Sequence, residues 1–218
     1  MPRIRLTAFR WVPPFAQGLV RDLRVRWALE EAGLPYDEHL LALNEHKAPA
    51  HRERQPFGQV PVYEEDNLTL FESGAIVLHV AQKSPALLPA EASARARAIT
   101  WMFAALNTLE PAVQNLTTMD LFFPNEEWSK LRRPGQQAFV QMRLDELAAH
   151  LADRDYLEET FTAGDLLMTT VLQILRHTTL VSDMPVLAAY QRRCESRPAF
   201  QRALATQLMN FERYAPAA

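Results

Sequence analysis

The tightest constraint on this chain lies at Val60-Pro61, inside the stretch Gln55 to Ile76. Pro56 and Gly58 mark a turn. Val60, Val62 and Tyr63 suit a short strand, but Pro61 falls within it. Proline has no N–H to give to a ladder, so the spacing predicts an edge or irregular strand. The Val60–Pro61 bond is a candidate cis peptide. A cis bond there aims the N–H and C=O of Val60 outward, toward an extended ligand. Glu65-Asp66-Asn67 reads as a turn and Leu68 to Phe71 as a second short strand. Gly74 to Lys83 carries helical periodicity in Ile76, Val77 and Val80, with Ser73 as its cap. The N–H groups behind Ser73 favour an anion.

The flanking segments extend this pattern. Arg3 to Thr7 is predicted as a strand, followed by a loop from Ala8 to Gly18 and a helix from Leu19 to Ala32 that stops at Gly33. Leu19, Leu23 and Trp27 form that helix's apolar stripe. Tyr36 to Leu43 is a second strand, and His46 to Arg54 is loosely helical. The order βαβαββα is the thioredoxin-like pattern. The chain therefore divides into an α/β N-terminal thioredoxin-like domain over 1–83, a proline-containing linker over 84–92, and an all-α C-terminal helical domain over 93–218. In the last, Glu91 to Thr118 reads as one long helix disturbed at Pro111, and Pro134 to Arg154 as another. Phe139, Met142, Leu144, Leu147 and Leu151 are its candidates for the core. Thr162 and Asp165 form a capping box, with Phe161 as a staple, ahead of a helix over Leu166 to Arg176. Pro185 and Pro198 stand at the first positions of two more helices.

Composition narrows the function. Hydrophobic residues make up 48% and charged residues 22% of 218, as in a soluble globular protein with a sizeable core. A net charge of −3 offers no polybasic surface for nucleic acid. The single cysteine, Cys194, excludes an intrachain disulfide framework and Cys-x-x-Cys redox chemistry, and reads as a packed residue. No apolar run reaches the ~18 residues of a membrane span, and the start leads into a strand rather than a signal peptide. The expected location is cytoplasmic. The histidines show no metal-ligand spacing; His51, His79, His150 and His177 read as structural or exposed. Arg24, Arg26, Arg95 and Arg97 read as surface charge, a possible subunit contact.

The Gln55–Ile76 stretch, with Glu45-His46-Lys47-Ala48-Pro49 upstream, resembles the glutathione-binding half of the glutathione transferases, most closely the plant phi class and related bacterial enzymes. The resemblance is specific in the first half of the chain and architectural in the second. It implies that the backbone of Val60 pairs with the cysteinyl part of glutathione. It implies further that Glu72 and Ser73 hold the γ-glutamyl end, and that His46, Lys47 and Gln59 hold the glycyl carboxylate. Carboxylate against ammonium, and helix terminus and lysine against two carboxylates, suit a zwitterionic tripeptide. The implied partners are glutathione as co-substrate and a hydrophobic electrophile, in a homodimer, with no metal. Met119, Leu121, Phe122 and Phe123 would line the electrophile's cleft; Phe9, Trp11 and Phe15 suit either the core or that cleft.

The chain departs from the family where the chemistry should be. A free thiol with a pKa of about 8.5 is mostly protonated at neutral pH. The family lowers that value with a hydroxyl or thiol at the start of the first helix. Between Ala8 and Arg21 this chain has no serine, tyrosine or cysteine. Thr7, the nearest hydroxyl, is expected within the strand. The remaining donors are Gln17, Trp11, Arg10, Arg21 and the N–H groups of Gly18 and Leu19. The reading is that helix-start amides, helped by Arg21 or Gln17, hold the thiolate. Three outcomes stay open: conjugation of the thiol to electrophiles, a glutathione-dependent isomerase, dehalogenase, lyase or peroxidase, and a protein that binds glutathione or an apolar ligand without turnover.

Overall fold

A computed structural model describes residues 3–216. It comprises two compact units, Met1–Leu87 with Arg197–Ala218, and Leu88–Ser196. Packing thus draws the division differently from composition, which kept 93–218 together: the last helix joins the first unit.

In that unit, β1 (Ile4–Phe9), β2 (Tyr36–Leu41), β3 (Val62–Glu65) and β4 (Leu68–Leu70) form one sheet in the order β2-β1-β3-β4. β1 and β2 are parallel, while β3 runs antiparallel to both β1 and β4. The expected edge strand is corrected, because β3 lies between two neighbours. Pro61 stands just before the strand, so its missing N–H costs the ladder nothing. Helix α1 (Asp22–Ala32) begins later than Leu19. Gly18 adopts φ 77°, and the Leu19 N–H turns back to the Ala16 carbonyl at 3.0 Å. α1 stops at Gly33, in the left-handed region at φ 65°, whose N–H satisfies the Glu30 and Leu29 carbonyls. A four-residue helix, α2 (Pro49–Arg52), and α3 (Ser73–Ala81) complete the N-terminal segment.

The expected arginine surface cluster is also corrected. Arg95 and Arg97 are exposed, but Arg24 and Arg26 are buried in α1. Arg26 is wholly enclosed and pairs with Asp22 at 2.6 Å and with Glu38 of β2. Burial opposes its charge, but Asp22 and Glu38, with Tyr36, outweigh that and raise its pKa. The C-terminal helix of the chain (Pro198–Arg213) closes the cluster: Gln207 donates to Asp22 at 2.9 Å and Asn210 to Glu38 at 2.6 Å. Around it, Trp27 meets Phe200 edge-on with ring centroids 4.8 Å apart, and Arg197 forks onto Glu31 at 2.6 and 2.8 Å. A second cluster ties β3 to α3. Glu65 accepts from Tyr63 at 2.7 Å, from Lys83, and contacts His79 at 3.3 Å. The Lys83 hydrogen bond leads in drawing its pKa from 4.5 to about 2.

The second unit is helical. α4 (Ala92–Phe103) is capped by Glu91, whose carboxylate accepts from Ser93 and Ala94 N–H groups. A wide turn with π geometry, Ala104–Leu109, leads into α5 (Glu110–Leu121). The distortion lies one turn before Pro111, because a proline ring cannot pack under the carbonyl four residues back. Glu110 N–H instead reaches the Ala105 carbonyl. α6 (Glu127–Leu151) starts before the expected Pro134 and carries that proline inside it. Leu144, Leu147 and Leu151 are buried, whereas Phe139 and Met142 are exposed. The capping box at Thr162 and Asp165 is formed, but α7 (Ala163–Leu172) starts directly at it and every residue of α7 is buried. The expected continuation to Arg176 tightens into a 3-10 segment, Gln173–His177. At Gly164 a Cβ would stand 2.7 Å from the Trp101 Cβ, so glycine sets the approach of α7 to α4. Asp165 also accepts from Leu157 N–H at 2.9 Å and from the Tyr190 hydroxyl at 3.0 Å. α8 (Pro185–Glu195), which buries Cys194, and the C-terminal helix, α9, both begin at their prolines. Among the described residues no helix is long and apolar enough to cross a membrane.

Arg26→Ala leaves Asp22 and Glu38 without their buried partner and is expected to cost about 3 kcal/mol in urea unfolding. An Arg26→Met variant, which removes the charge but keeps the volume, should cost no less while both acids remain. Glu65 gives a pH signature. Its folded pKa lies below its unfolded value, so its contribution is present above pH 4.5 and is lost as pH falls toward about 2. Glu65→Gln should remove about 1–2 kcal/mol at neutral pH, and the variant's stability should fall less steeply than wild type across that acid range.

Candidate functional site

Sheet register decides where the candidate residues meet. Thr7 pairs with Val62, so the C-terminal end of β1 lies beside the start of β3. Tyr63 pairs with Leu70, so the chain leaving β4 passes that same end. The loop after Phe9, the Gln59-Val60 segment and the Glu72-Ser73 pair therefore converge at one end of the sheet. Two ring contacts agree with this: Phe57 to Phe71 at 6.2 Å and Phe9 to His46 at 5.2 Å between centroids.

Each segment is held from beneath. The Val60–Pro61 peptide is cis, and Val60 lies ahead of the first ladder pair, Thr7 with Val62. Buried His51 contacts the Gln59 carbonyl through Nε2 at 2.7 Å. Gln55, also buried, accepts from Phe57 N–H at 2.7 Å and fixes the turn. Gly58 has φ 61°, and a Cβ there would lie 2.9 Å from the His46 carbonyl. Only glycine lets the turn press against the His46-Lys47 backbone. Arg52 braces the same junction, donating to the Lys47 carbonyl at 3.2 Å and the Pro56 carbonyl at 3.4 Å. Lys47 and Gln59 are exposed; His46 is half-buried, with Nδ1 enclosed.

Glu72 and Ser73 form the second half. Glu72, rather than Ser73, is the residue that caps α3, and no side chain occupies that cap. Glu72 holds φ 66° and ψ 113°, a conformation that costs a non-glycine residue about 1–3 kcal/mol. Its carbonyl still accepts from Ile76 N–H at 3.0 Å, and its side chain is exposed. Ser73 is the first helical residue and is 5% exposed. Its hydroxyl accepts from Arg24 Nη1 at 3.3 Å, which sets the start of α1 against the start of α3. Sequence reasoning missed Arg24. Its position in the first turn of α1, three residues before Trp27, was the available signal.

The loop before α1 carries no hydroxyl into this region. Thr7 is fully buried in β1. The Gln17 amide donates to the Val12 carbonyl at 3.1 Å, and Leu19 N–H is used within its own turn. Arg21 is exposed at the cap of α1. Leu23 and Arg24 N–H groups already donate to Val20 and Arg21 carbonyls, so the helix start falls at Arg21-Asp22. Phe15 is 50% exposed, while Phe9 and Trp11 are half-buried. In the helical unit Leu121, Phe122 and Phe123 are exposed but Met119 is buried. Among the described residues no cluster of three or more His, Cys, Asp or Glu could hold a metal.

Comparison with known proteins follows the same lines. The glutathione S-transferase N-terminal domain family matches residues 16–82. Glutathione S-transferase 4 of Zea mays is 33% identical over 81% of this chain and 83% of its own length. Maleylacetoacetate isomerase of Rhizobium meliloti is 30% identical over 83% of this chain and 89% of its own. A glutathione transferase from Burkholderia graminis, solved with two glutathione molecules bound per subunit, superposes with a TM-score of 0.82 at 25% identity, covering 94% of this chain and 88% of that one. A thioredoxin-like α/β part followed by a mostly helical part is the architecture these proteins share with this chain.

Glu72→Gly relieves the backbone and is expected to raise stability by about 1 kcal/mol in urea unfolding, whereas β-branched Glu72→Val should lower it.

Proposed function

Because this chain belongs to the glutathione S-transferase family, we propose that it binds glutathione at the converging sheet end and conjugates the glutathione thiol to a hydrophobic electrophile. The observation that carries this reading is the meeting of four segments there. A backbone edge at Val60 suits the cysteinyl residue. An open helix start at Ser73, beside the Glu72 carboxylate, suits the γ-glutamyl end. His46, Lys47 and Gln59 suit the glycyl carboxylate. Each group complements one charge or peptide unit of a zwitterionic tripeptide.

The protein's task is then to favour the thiolate, and each pKa unit removed from the thiol is worth about 1.4 kcal/mol. Helix-start N–H groups at Arg21 and Asp22, with the Arg21 cation at the same cap, supply that stabilisation. The Gln17 amide reaches the thiolate only by giving up the Val12 carbonyl, whereas the Arg21 side chain is exposed at the cap of α1. Catalysis is proximity and electrostatic stabilisation: the thiol proton is released to solvent, and the sulfur bonds to the electrophilic carbon as that carbon's leaving group departs with its electron pair, chloride in the case of chlorodinitrobenzene. A homodimer in the cytoplasm, as in the wider resemblance, completes the proposal. The relative named maleylacetoacetate isomerase favours a second reading, in which the thiol adds to and leaves an unsaturated acid during isomerisation.

Calorimetry with glutathione, beside conjugation of chlorodinitrobenzene and isomerisation of a cis-unsaturated diacid, tests this. Lys47→Ala and Glu72→Gln should each weaken glutathione about 10-fold. Arg21→Ala should raise the pKa of the bound thiol, and Gln17→Ala should change it less. Absence of binding by wild type sinks the proposal; binding without turnover of either substrate leaves a glutathione-binding protein instead.

A further inference from the structure

We propose that Arg24 is a positioning residue for the γ-glutamyl carboxylate, acting through the Ser73 hydroxyl. The inference rests on the glutathione reading of the site and adds a residue outside it. Arg24 is 3% exposed, so its guanidinium sits inside the fold between α1 and α3 rather than at the mouth of the site. It places Nη1 at 3.3 Å from Ser73 Oγ.

The chemistry of the pair fixes its direction. A guanidinium has only donors, so Ser73 Oγ is the acceptor. The hydroxyl keeps its own proton, and that proton points away from Arg24. Ser73 is the first residue of α3, whose cap holds no side-chain hydrogen bond. The first N–H groups of a helix have no intrahelical acceptor. A hydroxyl turned outward at that place adds one more donor to theirs. The Ser73 hydroxyl and the first N–H groups of α3 then all donate, which suits a carboxylate, while the Glu72 side chain beside them is left for the ammonium of the same γ-glutamyl end. The strained Glu72 backbone delivers Ser73 to this position, and Arg24 sets how its hydroxyl is turned.

The test compares glutathione with 4-aminobutyryl-cysteinyl-glycine, the analogue lacking only the γ-glutamyl α-carboxylate. Binding of both is measured by calorimetry in wild type, Arg24→Gln, Arg24→Lys, Ser73→Ala and the Arg24→Gln/Ser73→Ala double variant, with thermal unfolding alongside. Wild type should prefer glutathione about 100-fold. Arg24→Gln and Ser73→Ala should each reduce that preference about 10-fold, and the double variant should lose no more than Ser73→Ala alone. Arg24→Lys, a cation without the fork, should fall between. A purely structural Arg24 weakens both ligands equally and leaves the preference intact, which would overturn the proposal. So would losses that multiply in the double variant. If Arg24→Gln does not fold, Ser73→Ala and Arg24→Lys decide: full preference in both overturns the role. Wild type that binds neither ligand removes the glutathione reading together with this role, whereas wild-type preference that survives in the variants removes the role alone.

Discussion

A guanidinium enclosed within the N-terminal unit organises much of what surrounds it. Arg26 cannot be solvated, so it needs anions inside the fold, and it finds Asp22 one turn away and Glu38 on the neighbouring strand. Those carboxylates in turn need donors on their other lone pairs, and Gln207 and Asn210 provide them from the last helix. One buried charge thus specifies the pairing of α1 with β2 and the docking of α9. Apolar contact between Trp27 and Phe200 supplies area without register. The polar cluster supplies register, since Asp22, Glu38, Gln207 and Asn210 meet their partners only when α1, β2 and α9 are aligned.

The binding region depends on that register. α1 carries both arginines, and its placement brings Arg24 to Ser73. The sheet does the rest through two antiparallel pairings. Loops that are distant in sequence are delivered to one end of the sheet because β3 is internal, with β1 on one side and β4 on the other. Beneath them lie the supports: His51 under Gln59, Gly58 against His46, and Arg52 across Lys47 and Pro56.

Local signals made much of this legible in the sequence. The cis peptide at Val60, the capping box at Thr162 and Asp165, and the proline starts of α8 and α9 are each set by a few neighbouring residues. Non-local choices were not legible. Within the run Asp22 to Arg26 only the i,i+4 pair of Asp22 with Arg26 is local; the burial of both arginines is not legible there, because the other partners of the cluster, Glu38, Ser73, Gln207 and Asn210, come from elsewhere in the chain. Pro61 looks like an edge signal until pairing shows the ladder starting one residue later. Pro134 reads as a start because proline favours first turns, but an exposed proline is tolerated inside the 25-residue α6, where packing of its other side outweighs one lost bond. In the candidate site, the residues at the converging sheet end carry motif-like patterns, while Arg24, which meets the Ser73 hydroxyl from within the fold, does not.

The wide turn at Ala104–Leu109 has a consequence for the helices it joins. A π turn holds one residue more than an α turn, and each residue advances a helix face by about 100°. The azimuth of everything from Glu110 onward is therefore offset from what a continuous helix would give. Leu116 and Met119 reach the interior, and Leu121 and Phe122 the outside, under that offset phase. Excising a single residue here would rotate the whole of α5 by about that angle. The apolar stripe of α5 would then swing out of the core, so chain length in this turn is as firmly fixed as the identity of any buried leucine.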